Sequence, residues 1–98
     1  MVLKKAKGEL EIALRHVKVM KAVMNNQPIG IFKLSELVNI PKHKVRYSLR
    51  VLEQSGIIEP TQHGAVIRED ANLNKLKKYL DDIKELVKEI ENELNEVI

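Results

Sequence analysis

Residues Lys33 to Gly56 read KLSELVNIPKHKVRYSLRVLEQSG, and the rest of the chain is best understood from this stretch outward. Leu34, Leu37 and Val38 give the one apolar stripe that a two-turn helix can bury, and Asn39 is its stop. Pro41 has no backbone N–H and a φ already suited to a first helical turn, so a second helix is predicted over 41–55. Val45, Leu49 and Leu52 fall at i, i+4 and i+7 and form its core-facing stripe. Gly56 supplies the left-handed residue that ends it, with Ile57 placed to fold back on the last turn. The opposite side carries His43, Tyr47, Arg50 and Gln54 in one row, flanked by Lys44 and Arg46, with nothing acidic between Pro41 and Arg50.

Upstream, apolar residues recur at Leu3, Ala6, Leu10, Ala13, Val17, Met20 and Met24, with a second row at Ile12, Val19 and Val23. This predicts a helix with a wide apolar face, weakened at Gly8 by about 1 kcal/mol relative to Ala and ended by Asn25-Asn26-Gln27-Pro28. Ile29-Gly30-Ile31-Phe32 is short and apolar behind a breaker, which predicts a small strand. Downstream, Ile57-Ile58-Glu59-Pro60 and Ala65-Val66-Ile67-Arg68 flank Thr61-Gln62-His63-Gly64, a β-hairpin pattern with Gly where a positive φ is wanted. The predicted fold is mainly α with this one small hairpin.

From Leu73 the spacing becomes strict. Leu73, Leu76, Leu80, Ile83, Val87, Ile90, Leu94 and Val97 alternate steps of three and four, which is a coiled-coil seam capped at its start by Asp70 or Asn72. Leu at one seam position opposite mostly β-branched residues at the other disfavours a simple parallel two-stranded coil and fits a multi-helix interface. Its first turns are basic (Lys75, Lys77, Lys78) and its last acidic (Glu89, Glu91, Glu93, Glu96), the reverse of what the helix dipole prefers. Antiparallel pairing of two tails, or packing of each tail against a neighbouring helix end, would bring these blocks of opposite charge together. The first helix, through Leu3 and Leu10 among others, is the natural further contributor, so a homodimer held by both terminal helices is expected.

Composition bounds the chemistry. A 98-residue chain builds one core, and with one Phe, two Tyr and no Trp it is packed from aliphatic residues and lacks stacking platforms for single strands. The absence of Cys excludes disulfides, thiolate metal sites and cysteine nucleophiles. His16, beside Arg15 and Val17, reads as a surface or interface residue; His43 and His63 sit on separate elements with no carboxylates at ligand spacing, so no metal is expected. Ser35, Ser48, Ser55 and Thr61 lie in no nucleophile motif, there is no glycine-rich phosphate loop, and the Asp81-Asp82 pair lies on the tail's outer face. Neither catalysis nor a cofactor is expected. No leader pattern or long apolar span is present, so a cytoplasmic protein with no membrane partner is the expectation. Residues 1–69 carry twelve Lys/Arg against six Asp/Glu, while 70–98 carry five against eight, which places the positive charge in the first part and suggests a polyanionic partner for it.

KLSEL, then NIPKHKVRYSLRVLEQSGII, then the hairpin resembles the winged helix-turn-helix transcription regulators across Lys33 to Arg68, and the Lys/Glu/Ile-rich tail is similar to small archaeal members. The resemblance implies a winged helix-turn-helix domain over 1–69 and a C-terminal coiled-coil dimerisation helix over 70–98. It further implies double-stranded DNA as partner, with helix 41–55 in the major groove. His43, Lys44, Arg46, Tyr47 and Arg50 are then the candidates for reading bases, and Lys33, Lys42, Gln54, His63 and Arg68 for gripping phosphate. The hairpin departs from the family's basic wings, since it offers only His63 at its tip and Arg68 at its base. A two-fold dimer would address half-sites about 34 Å apart. Two other readings share the fold: a protein-binding adaptor whose basic helix is mere surface, and a chromatin-coating protein with little sequence preference. A small effector between the terminal helices has no polar constellation to hold it.

Overall fold

The computed structural model describes residues 1–98 as four helices and one antiparallel hairpin: α1 (Val2–Asn26), α2 (Ile31–Val38), α3 (Lys42–Gln54), β1 (Ile58–Thr61), β2 (Gly64–Ile67) and α4 (Leu73–Asn95). The buried apolar residues are Val19, Val23, Ile29, Leu34, Val45, Leu52, Ile57, Ile58 and Ala65, so every element except α4 contributes to one core. The molecule is drawn out to 55 × 28 × 20 Å because the first half of α1 and nearly all of α4 extend past that core.

α1 runs without a break through Gly8. Its core side runs through Val19 and Val23 of the second apolar row with Met20 of the first beside them; Leu3, Leu10, Val17 and Met24 of the first row remain between 43% and 50% exposed, and Ile12 of the second is exposed too. Helices α2 and α3 pack against the C-terminal half of α1, which fixes which residues face inward and leaves Leu10, Val17 and Met24 exposed.

The strand expected at Ile29–Phe32 shrinks to one bridge. Ile29 exchanges two hydrogen bonds with Ala65, its N–H donating to the Ala65 carbonyl at 3.2 Å and its carbonyl accepting from the Ala65 N–H at 2.8 Å. Gly30 then caps α2, which starts at Ile31, so Phe32 lies on a helix. The bridge also explains Gly64, which is the first residue of β2 rather than a loop residue: the hairpin turn is Gln62-His63 alone. At φ 128°, a Cβ on Gly64 would stand 2.5 Å from the Ile29 carbonyl carbon, so the close approach of the two backbones excludes any side chain. The Gln27 side-chain carbonyl at the end of α1 accepts from the Ile67 N–H at 2.8 Å and ties β2 to that helix.

The connection between α2 and α3 is set by three residues. Asn39 takes the left-handed conformation at φ 54°, Ile40 donates back to the Ser35 carbonyl at 3.3 Å, and the Ser35 hydroxyl donates to the Ile40 carbonyl at 2.5 Å. Pro41 is the N-cap rather than a helical residue, its carbonyl accepting from the Lys44 and Val45 N–H groups at 3.0 Å, so α3 begins at Lys42. At the far end Gly56 has φ 74° and Ile57 donates to the Leu52 carbonyl at 2.9 Å, the left-handed termination anticipated there.

α4 is capped by Asn72, whose side chain accepts from the Lys75 N–H at 3.1 Å; Asp70 is instead engaged by Arg68. Leu73 packs on the core, and beyond it α4 buries nothing. Val2 and Leu3 from the start of α1 border an open groove of about 780 Å³ with Leu86, Ile90, Leu94 and Val97. None of the helices is long and apolar enough to cross a membrane.

Candidate nucleic-acid interface

α3 divides cleanly into two sides. Val45, Ser48 and Leu52 are buried, whereas Lys42, His43, Lys44, Arg46, Tyr47, Arg50 and Gln54 are exposed. The buried side explains why the helix sits where it does: Val45 and Leu52 are 0% and 5% exposed within the core, and Leu49 is half-buried beside them. With no acidic residue in its first turn, the exposed side offers a continuous cationic strip from Lys42 to Arg50. Such a strip can accept phosphate oxygens or carboxylates, and its two arginines can fork onto guanine.

Two of these side chains are held by neighbours. Lys42 Nζ lies 4.2 Å from the centre of the Phe32 ring, and Phe32 is itself 67% exposed. This pair places an aromatic face beside the entrance to α3, with the ammonium fixed above it. Reading Phe32 as a strand residue hid it; helical numbering from Ile31 puts it on the outer side of α2.

Tyr47 is 48% exposed and leans on α1, where the His16 ring is 5.8 Å away at 47° and the Arg15 guanidinium lies 5.8 Å over its face. Below it, Ser48 is fully buried and its hydroxyl is 2.8 Å from His16 Nδ1. Arg15, His16, Tyr47 and Ser48 together bolt α3 onto α1, a cluster that the sequence reading did not assemble. The signal was present: Ser48 occupies i+3 of the Val45, Leu49, Leu52 stripe, so it had to face inward and needed a polar partner. Burial, with Arg15 as a second contribution, lowers the His16 pKa below its usual 6.5 and so favours the neutral imidazole. Arg15 Nε is covered and has no hydrogen-bond partner.

The remaining candidates are scattered. Lys33 on α2 and Gln54 at the end of α3 are exposed, and His63 is at the hairpin tip, where its N–H donates to Thr61 Oγ1 at 3.2 Å. Arg68 stands apart from the others because its guanidinium is already taken, donating to both Asp70 carboxylate oxygens at 2.8 and 3.0 Å. The Arg68 hydrogen bond and charge hold the Asp70 carboxyl below the usual carboxylate range, and Asp70 in turn raises Arg68. An arginine neutralised by its own neighbour is a poor phosphate ligand, and the sequence signal for it was only the two-residue spacing. No group of three His, Asp or Glu side chains is gathered to hold a metal ion. No protein-family model and no curated protein matches this chain.

Proposed function

We propose that the chain is a winged helix-turn-helix regulator that binds double-stranded DNA as a homodimer and discriminates between sequences, with α3 lying in the major groove. The observation that carries this reading is the exposure of His43, Lys44, Arg46 and Arg50 on one side of a helix whose other side is buried. Lys42 and Lys33 flank this face and are assigned to the phosphate backbone, which fixes register without reading sequence. Tyr47 is assigned a supporting role, because α1 already occupies much of its ring. α1 and α4 leave their apolar rows uncovered and are assigned to the dimer contact.

The rival reading, an adaptor that binds protein, is favoured by the exposed Phe32 ring. Mobility shifts on a panel of duplexes separate the two. Arg50→Ala is expected to cost about 1–3 kcal/mol on the preferred sequence and to flatten discrimination. Lys42→Ala weakens every duplex alike, and Arg68→Ala changes binding less than Lys42→Ala. An adaptor binds DNA weakly and is indifferent to all three substitutions.

A further inference from the structure

The apolar strip of α4 is nearly as exposed at its middle as at its end: Leu76, Leu80, Ile83, Val87, Ile90 and Leu94 lie between 36% and 52%. A helix of this kind needs a partner, and two properties of the strip specify which partner and in which direction. The first is register. Antiparallel pairing of α4 with α4 of a second copy, about a two-fold axis beside Glu85, sets Leu76 against Leu94 of the second copy, Leu80 against Ile90 and Ile83 against Val87, with no seam residue left facing a polar one. Each layer then joins the two alternating seam positions, as antiparallel packing requires.

The second is charge. The flanking positions on one side of the seam are Lys77, Lys84 and Glu91, and on the other Tyr79, Leu86 and Glu93. Parallel chains would bring one flank against the other, placing Tyr79 near Lys84 and Leu86 near Glu91, with no opposite charges meeting. Antiparallel chains bring like flanks together, so Lys77 meets Glu91 twice, once on each side of the axis, and these two opposite-charge pairs outnumber the single Lys84–Lys84 pair at the axis itself. Leu86, 57% exposed in the single chain, meets its own copy at the axis.

We infer that α4 pairs antiparallel with α4 of a second copy, centred on Glu85, so that the two heads sit at opposite ends of the shared rod. This deepens the homodimer assigned above and rests on it. The starts of the two α4 helices are then about 36 Å apart, of the order of one turn of duplex DNA.

Spin labels test the direction in the full-length protein, which has no Cys of its own. Asn95→Cys and Lys88→Cys place labels outside the seam at the end and near the middle of α4. Antiparallel pairing predicts an axial separation of roughly 30 Å for labels at 95 and roughly 9 Å for labels at 88. Equal, short separations at both positions overturn the inference while leaving a dimer intact. A monomer by light scattering at tens of micromolar overturns the pairing and the dimeric part of the function together. As an independent check, Lys77→Glu and Glu91→Lys should each weaken dimerisation by about 3- to 10-fold, and the double substitution should restore it. Two single effects that add in the double substitution contradict the assigned pair.

Discussion

His16 on α1 and Ser48 on α3 meet at 2.8 Å, between imidazole Nδ1 and hydroxyl, and this bond is the polar contact through which the cationic helix is held to the N-terminal helix. It converts a serine with no exposed surface from a destabilising core polar group into a satisfied one. Ser48→Ala is therefore expected to cost about 1–2 kcal/mol, measured by chemical denaturation near neutral pH.

The same contact carries a pH dependence. Folding lowers the His16 pKa from 6.5, so the native state favours the neutral ring, and the stability it contributes is fully present above pH 6.5. As pH falls through 6.5 the unfolded chain takes up its proton first, and stability is lost until the lower native pKa is passed. His16→Gln keeps a polar partner for Ser48 without a titrating group. Denaturation curves between about pH 7.5 and pH 5 should show a smaller loss for this variant than for the parent; equal losses would assign the titration elsewhere.

Gly64 fixes the hairpin to the body. Its φ of 128° and the 2.5 Å approach that a Cβ would make to Ile29 backbone leave no route for relaxation through a flexible side chain. Gly64→Ala is expected to destabilise the fold by about 3 kcal/mol or more, seen as a lowered Tm. A loss under about 1 kcal/mol would mean that the Ile29–Ala65 bridge does not constrain the native hairpin.

The α4 seam makes the opposite prediction. Leu80 is 45% exposed and touches no core residue, so Leu80→Asp should leave the urea stability of the head at submicromolar concentration within about 0.5 kcal/mol. The same substitution should abolish the dimer in sedimentation or light scattering. Loss of head folding would instead place Leu80 in an intrachain interface.

Legibility in the sequence tracked the range of the determining interaction. Asn39, Pro41, Gly56 and Asn72 act on neighbours a few residues away, and the turn, the helix starts and the α3 terminus could be read from them. The long helix α4 was legible because periodicity is a local property. What escaped depended on contacts distant in sequence: Ile29 pairs with Ala65, Ser48 with His16, and Val19 rather than Val17 faces the core because α2 and α3 approach from that side. The candidate strip on α3 was legible for the same local reason, since one stripe of apolar residues dictates the other side. The engagement of Lys42 by Phe32 and of Tyr47 by Arg15 was not, because partners on other helices decide it.

The central claim is that the outer side of α3 lies along a nucleic-acid duplex, and the most direct measurement is fluorescence anisotropy of a labelled duplex titrated with the protein over about 50–200 mM salt. Affinity should fall linearly on a log–log plot with a slope near −0.9 per phosphate contacted, hence roughly −4.5 or steeper for a dimer gripping five or more phosphates. Lys42→Ala should make that slope shallower by about 1 for each protomer engaged. Absence of binding at the lowest salt, or binding whose strength does not change across the series, would contradict the account.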